Sequence, residues 1–179
     1  KGSLAIVVGA GPSLDITLPM IKNSFPEPLV VTADSALRAL GNEGIDPHFV
    51  VSIDPEKKHD SCTSLDHHPG MAILSSQSHS SWSHRWGEKS RYLSGRVLTE
   101  DWLAAKGIPK TSLLALNNAG LTALLLADFL GPEVGDVHLA LLAHQREGRS
   151  IACARVRAEA RSMRVDSRRP IVDDVKDLL

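Results

Sequence analysis

The stretch LAIVVGAGPSLD, residues 4–15, runs from apolar residues straight into a turn that has almost no side chains. A short, bounded run of Val, Ile and Leu predicts a buried strand, and the turn Gly9-Ala10-Gly11-Pro12-Ser13 follows it. Glycines at this point let backbone N–H groups approach a phosphate, helped by the positive end of the next helix. The stretch therefore predicts a phosphate-binding loop, and the alternative is a tight strand-to-helix turn without a ligand.

Further apolar runs repeat along the chain and alternate with helical patterns. Each run is short and rich in Val, Ile and Leu, which is typical of strands in a parallel sheet that is buried on both faces. The predicted strands are residues 4–8, 29–32, 49–53, 71–74 and 137–143. The alternation predicts an α/β fold with a doubly wound, mostly parallel Rossmann-like sheet and helices on both faces.

Proline and capping residues indicate where the first two helices begin. Pro19 fits only the first turn of a helix, so the first helix should begin near Thr17 and leave residues 9–16 as a loop. The second helix should begin at Asp34 or Ser35, because both side chains can accept a hydrogen bond from a free amide at a helix start.

The second half of the chain carries two more patterns. Residues 56–95 are largely polar and suggest an excursion of the chain over the surface of the sheet. A strongly apolar helix is predicted over residues 121–130, with Asn118 as its cap and Gly131-Pro132 as its end.

The distribution of arginine divides the chain into two parts. Residues 1–145 form the predicted Rossmann-like nucleotide-binding domain, and residues 146–179 form a predicted helical extension packed on it. Eight of the twelve arginines lie between residues 146 and 169. They could contact phosphates or form one exposed helical face. The segment has no aromatic platform beside its arginines, which makes nucleic-acid binding an unfavourable interpretation.

Bulk composition narrows the setting in which the protein works. The net charge is −1, so no global field attracts the chain to nucleic acid or to a membrane surface. No apolar run reaches the roughly 20 residues of a membrane span. Cys62 and Cys153 are far apart and predict neither a disulfide framework nor a zinc site. The expected location is the cytoplasm.

Two acidic residues follow predicted strands, where side chains reach the edge of the sheet. Asp34 lies 23 residues after Gly11, near the spacing at which an acid meets a ribose hydroxyl. Leu14 replaces the third glycine of a dinucleotide loop, so the pattern favours a mononucleotide over NAD. Asp54 could hold Mg²⁺ against nucleotide oxygens, or it could form an Asp-Pro turn with Pro55.

Histidine and tryptophan cluster in the polar segment. Five of the eight histidines lie between residues 59 and 84, and a solvated loop is favoured there over a metal site. His79 lies just past the fourth predicted strand, where it should be near the carboxyl edge of the sheet and the glycine loop, and it is the candidate general base. Trp82 and Trp86 could stack on a base or sugar, or they could anchor the loop to the core.

Two blocks of the sequence resemble a known family. The blocks are VVGAGPSLD and TADSALRALGNEGIDPHFVVSIDP, and the later segment NNAGLTALLLADFLGP is similar to the second helix start of that family. They resemble the Rossmann-like domain of archaeal hydroxymethylpterin pyrophosphokinases and of bacterial motility accessory factors, which are flagellin glycosyltransferases. Thiamine pyrophosphokinases have a looser version of the second block.

The resemblance implies roles for individual residues. It implies a nucleotide-phosphate loop, two cleft acids of which one follows the second strand and the other can hold Mg²⁺, and a second amide-rich helix start. The residues at these positions are Gly9, Gly11, Pro12 and Ser13 in the loop, Asp34 and Asp54 as the acids, and Asn118, Ala119 and Gly120 at the helix start. Ser35, next to Asp34, is a further candidate for ligand binding.

The resemblance also implies a reaction class, a nucleotide-dependent transferase acting on a nucleotide-containing small molecule. Pyrophosphokinases tend to end the third strand in Asp-x-Asp, whereas this chain has Ser52-Ile53-Asp54-Pro55, which favours the glycosyltransferase branch. In that branch a nucleotide-activated sugar is the donor. The alternatives are an ATP-dependent pyrophosphokinase and a nucleotide-binding scaffold without catalysis.

Overall fold

A computed structural model describes residues 5–24, 27–63, 70–95, 97–134 and 137–138 of the chain. Strands and helices alternate through this part. The strands are β1 (Ala5–Val8), β2 (Leu29–Ala33), β3 (Phe49–Ser52), β4 (Met71–Ser75), β5 (Ser90–Leu93) and β6 (Val137–His138). The helices are α1 (Leu14–Lys22), α2 (Leu37–Asn42), α3 (Ser80–Trp86), α4 (Leu98–Ala105) and α5 (Ala119–Val134), with short 3-10 helices at Asp34–Ala36, His59–Ser61 and Gly87–Lys89.

The strands of the described residues form one parallel sheet in the order β5-β4-β3-β2-β1-β6. The chain adds β1 to β5 in one direction and then places β6 on the free side of β1. The predicted α/β, doubly wound Rossmann-like fold is thus confirmed. Predicted strands one to four lie within a residue of the observed strands. The predicted strand 137–143 is observed at Val137–His138, and its remainder lies outside the described residues.

Alternate residues of the strands are buried on opposite faces of the sheet. One face, with Val7, Val31 and Val51, packs against α5, which contributes Leu126 and Leu130. The opposite face packs against α1, α2 and α3. Because both faces are covered, every residue of β1 to β4 is buried, which explains why these strands have continuous apolar sequences.

Helix α1 begins at Leu14, so the predicted start near Thr17 is wrong. Pro19 lies inside the helix rather than in its first turn. The Ser13 carbonyl accepts from the amides of Ile16 and Thr17, both at 3.2 Å, and closes the first turn early. The burial of Leu14 against the sheet fixes this start. Pro19 only removes a donor to the Asp15 carbonyl, which lies on an exposed residue.

Residues 56–95 are not a surface excursion, because they contain α3 and β5 as well as β4. Trp82 is fully buried and Trp86 is nearly so, and their rings stack with centroids 5.2 Å apart. The sequence Ser90-Arg91-Tyr92-Leu93 escaped prediction because β5 is an edge strand of the described sheet and only Leu93 is buried. An edge strand can remain polar where an inner strand cannot.

Helix α5 continues through Gly131-Pro132 to Val134, so its predicted end at that dipeptide is wrong. Proline removes a single amide donor at this point, and the packing of Leu126 and Leu130 on the sheet holds the helix. The predicted extension 146–179, including Cys153 and the arginine cluster, lies outside the described residues.

None of the helices in the described part of the chain has the length and apolarity that a bilayer crossing requires. Cys62 is a free, buried thiol packed between α2, α3 and the sheet. Burial raises the pKa of this thiol.

Candidate functional site

A cleft of about 880 Å³ opens at the carboxyl ends of β1 to β4. The strand-end loops form one side of the cleft, and the start of α5 forms the other. This is the edge at which open α/β sheets bind ligands. The residues that carry its polar chemistry are Gly9, Ala10, Asp34, Ser35, Asp54, Lys57, Ser75, Gln77, Asn117, Asn118, Ala119 and Gly120.

The glycine loop borders the cleft through its first two residues. Gly9 and Ala10 line the cavity, whereas the predicted phosphate-binding residues Gly11, Pro12 and Ser13 are not among its lining residues. The Gly11 amide donates to the Gly9 carbonyl at 3.1 Å, so the loop uses this donor internally. A Cβ on Gly9 would meet nothing within 4 Å, and the φ of Gly9 is not in the left-handed region. The lack of a side chain at Gly9 therefore keeps space open rather than relieving backbone strain.

The start of α5 presents backbone amides to the same space. Asn118 accepts from the Leu121 amide through Oδ1 at 2.9 Å, which confirms the predicted cap. Ala119 and Gly120 also line the cleft. The first amides of a helix have no partner within the helix and carry the positive end of its dipole. A Cβ on Gly120 would lie 3.3 Å from the Asn118 Oδ1 atom, so the cap and the glycine fit each other closely.

Asp34 does not cap a helix, and neither does Ser35, contrary to prediction. Instead the Asp34 carboxylate accepts from the hydroxyl of Ser52 at 2.9 Å and from that of Ser35 at 3.0 Å. It also accepts from the ammonium of Lys57 at 2.9 Å. The carboxylate is 1% exposed, and these three donors explain how its charge can be buried.

Lys57 is the charged residue of the described cleft lining that the sequence did not predict, and Ser75, Gln77 and Asn117 are uncharged ones. Its ammonium bonds to Asp34 and also donates to the Ser35 hydroxyl at 2.8 Å. Burial works to lower the pKa of Lys57, but the hydrogen bond and charge of Asp34 outweigh it, and the pKa lies above its ordinary value of 10.5. Lys57 is therefore a cation at neutral pH. The signal that could have indicated it is the Asp54-Pro55 turn, which returns the chain over the end of β2.

Asp54 lies at the end of β3, as predicted, and lines the cleft. Its Oδ1 accepts from the Glu56 amide at 2.9 Å, so it also forms the turn that was the alternative interpretation. A carboxylate in this place fits Mg²⁺, which proteins commonly hold by one or two carboxylates together with substrate phosphates. The described residues contain no group of three His, Cys, Asp or Glu side chains that could hold a metal by themselves.

His79 directly precedes α3, and its ring is engaged there. Its Nδ1 accepts from the Ser81 amide at 3.1 Å and caps the helix. His79 is not among the residues that line the cleft, where Gln77 lies instead. Its role as a general base stays a prediction, and the proton would have to go to Nε2.

Trp82 and Trp86 are too buried to stack on a ligand, so of the two alternatives the structure supports anchoring to the core. The indole N–H of Trp82 donates to the Lys57 carbonyl at 2.9 Å. Trp82 therefore fixes the backbone from which the Lys57 side chain extends into the cleft.

Comparisons with known proteins agree with this fold. A family model described as 6-hydroxymethylpterin diphosphokinase MptE-like matches residues 1–145. Among solved structures, the MAf glycosyltransferase from Magnetospirillum magneticum AMB-1 is similar with a TM-score of 0.55 and 18% sequence identity. The match covers 77% of this chain and 23% of that one, so this chain spans only a part of the longer protein's length. The comparison with curated proteins gives no match.

Proposed function

The chain belongs to the MptE-like family, and on this premise we propose that it is a nucleotide-dependent transferase. The single observation that supports the proposal most is the convergence of three features on one cleft. The open space at Gly9, the amide-rich start of α5 and the Lys57 ammonium all border it. Backbone amides at a helix start together with a cation are a common arrangement for binding phosphates.

The first candidate reaction is glycosyl transfer from a nucleotide-activated sugar. An acceptor hydroxyl oxygen attacks the anomeric carbon, the bond from that carbon to the phosphate oxygen breaks, and the electron pair leaves with the nucleotide. His79 Nε2 is the proposed acceptor of the hydroxyl proton. His79 does not itself line the cleft, but its amide donates to the carbonyl of the cleft residue Asp54 at 3.3 Å, so it lies beside the site. Asp54 is the one acid in the cleft whose carboxylate is not paired with a cation in the described residues. A single free carboxylate gives a metal ion few protein ligands, which favours a reaction that needs little metal binding by the protein.

The second candidate is diphosphoryl transfer from ATP, and the description of the matching family model favours it. An acceptor hydroxyl oxygen attacks the β-phosphorus, and the bond from that phosphorus to the α,β-bridging oxygen breaks. The electron pair leaves with AMP, and the hydroxyl proton is lost to solvent. Asp54 would hold Mg²⁺, which neutralises charge on the phosphates when bound.

A thermal-shift panel with ATP, CTP, CMP, UDP and GDP, each with and without Mg²⁺, tests the proposal. A ligand at 100 times its dissociation constant should stabilise the fold by about 2.7 kcal/mol. We expect at least one nucleotide to raise the melting temperature. If none does at millimolar concentration, the chain does not use the cleft for a nucleotide.

The variant Asp54→Asn distinguishes the two reactions. Asparagine keeps an acceptor for the Glu56 amide but loses the charge that attracts a cation. Under diphosphoryl transfer, the Mg²⁺-dependent part of ATP stabilisation should disappear. Under glycosyl transfer, metal-free nucleotide binding should remain. Retention of the full Mg²⁺ effect would exclude Asp54 as the metal ligand. A wild type that binds nucleotide but transfers nothing with either donor would support the scaffold alternative.

A further inference from the structure

Lys57 extends into the cleft from the loop after β3 and is held by the carboxylate that ends β2. We propose that Lys57 is the phosphate-contacting cation of this site, and that Asp34 is a positioning residue that holds Lys57 rather than a ligand of ribose or Mg²⁺. The inference rests on the proposed nucleotide binding. It means that a residue outside the glycine loop binds the phosphate.

The ammonium of Lys57 has a donor to spare. A lysine ammonium has three donors. Two of them bind Asp34 Oδ1 and the Ser35 hydroxyl. Within the described residues no further acceptor binds it, and the side chain is 31% exposed at the cleft. A phosphate oxygen can therefore take the third donor while both protein contacts remain.

The carboxylate of Asp34, in contrast to the Lys57 ammonium, is already occupied by protein contacts. Both oxygens already accept hydrogen bonds, Oδ1 from Ser35 and Lys57 and Oδ2 from Ser52. At 1% exposure it offers almost no surface to a ligand. A ribose hydroxyl or a metal ion could reach it only by displacing Lys57, which would leave a buried ion pair broken.

The backbone that carries Lys57 is fixed on both sides. The Trp82 indole N–H binds the Lys57 carbonyl, and the Asp54 side chain binds the Glu56 amide. The amide of His79 donates to the Asp54 carbonyl at 3.3 Å. A side chain on such a rigid loop loses little conformational freedom when it contacts a ligand.

The charge of the cleft makes this cation important. Among the described residues that line the cleft, Lys57 is the one cation, against the carboxylates of Asp34 and Asp54. The Arg38 guanidinium is directed to the carbonyls of Asp60 and Ser61 and does not line the cleft. Without Lys57, the described lining would oppose an anionic ligand.

The experiment uses variants that avoid a buried unpaired charge. Lys57→Met alone would leave the Asp34 carboxylate without its partner and could unfold the chain. The comparison is therefore between D34N, the double variant D34N/K57M and wild type, with the exposed neighbour K58M as the matched control. The probes are the panel nucleotide that binds wild type best and its 2′,3′-dideoxy analogue, measured by calorimetric titration.

Removing Lys57 in the D34N background should weaken nucleotide binding roughly ten- to a hundredfold, the range for one charge-assisted hydrogen bond. D34N alone should weaken binding several-fold, by the same factor for the nucleotide and its dideoxy analogue, because the lost contact is to phosphate. A further variant, K57R, keeps a positive charge at position 57 and should retain most of the binding that D34N/K57M loses. K58M should bind nucleotide as wild type does.

Three results would count against the account, and each has a distinct meaning. Equal affinity of D34N and D34N/K57M for the nucleotide would exclude Lys57 as the phosphate contact and leave the proposed function standing. A D34N effect confined to the nucleotide and absent from its dideoxy analogue would identify Asp34 as a ribose ligand. A wild type that binds no nucleotide would overturn the proposed function itself.

Discussion

Gly9 is the residue that keeps the cleft open. Neither backbone conformation nor crowding requires glycine there, because its φ is ordinary and a Cβ would meet nothing within 4 Å. The residue also lines the cavity. The protein itself therefore gives no reason for glycine at this position, and the proposed function supplies one, a ligand that approaches the backbone closely.

The graded series Gly9→Ala and Gly9→Val tests this explanation. Both variants should keep the free energy of unfolding within about 1 kcal/mol of wild type, as surface substitutions usually do. Nucleotide-dependent stabilisation should fall with the size of the side chain and be lost in Gly9→Val. Full retention of the nucleotide shift in Gly9→Val would place the phosphates elsewhere.

Single residues also show how far sequence reasoning reaches. Gly9 and Asp54 could be placed at the sheet edge because strand ends and glycine turns leave local signals in the sequence. The Asn118 cap follows from the same kind of local rule. For Lys57 the Asp54-Pro55 turn is the one local signal. Its position in the cleft depends as well on the buried Trp82 indole, 25 positions further along the chain. Contacts of this range cannot be predicted from spacing.

Helix α1 contains an exposed proline that its sequence does not favour. Pro19 lies inside the helix and cannot donate to the Asp15 carbonyl. Pro19→Ala should therefore raise the free energy of unfolding by about 1–2 kcal/mol in denaturant titrations, after allowing for the greater entropy of the unfolded chain.

The exposed neighbour Met20, at 71% exposure, provides the control for this substitution. Met20→Ala should leave the stability within about 0.5 kcal/mol. A destabilised Pro19→Ala variant would show that the proline fixes the entry of the chain into α1, and the account of this helix would be wrong.

Variants of Asn118 at the start of α5 distinguish a structural cap from a phosphate-binding site. Asn118→Asp keeps an oxygen for the Leu121 amide and places a negative charge at the positive end of the helix, so stability should be unchanged or slightly higher. The same charge would oppose a phosphate in the cleft, and nucleotide affinity should fall about tenfold or more in calorimetric titration.

The matched variant Asn118→Ala should lower the stability and leave the charge of the cleft unchanged. Loss of the cap should cost about 1 kcal/mol of stability without adding a charge to the cleft. If Asn118→Asp binds nucleotide as tightly as wild type, the start of α5 is a capped helix and not part of the site.

The elements that sequence reasoning found and missed differ in burial. Strands β1 to β4 are buried on both faces and have continuous apolar runs that predict them. Strand β5 is half polar, and α3 is a seven-residue helix whose two tryptophans carry its packing. Helix ends that are fixed by tertiary packing also differ from the ends that proline positions predict. The start of α1 is an example, because the burial of Leu14 fixes it.

The whole molecule brings the separate parts of the site together through its sheet order. Strands β2 to β5 are added on one side of β1, and β6 is added on the other side, parallel to β1. Helix α5 directly precedes β6 in the chain. The loop after β1 and the start of α5 therefore meet at a topological switch point, where doubly wound sheets bind their ligands. Residues more than 100 positions apart in sequence, Gly9 and Asn118, line one cavity for this reason.

The most direct test of the central claim is the crystal structure of the chain with the nucleotide that binds it best. The account predicts phosphates between the Gly9-Ala10 backbone and the first turn of α5, with one oxygen within about 3.2 Å of the Lys57 ammonium. A well-ordered nucleotide outside this cleft, or one whose phosphates point away from both Gly9 and α5, would contradict it.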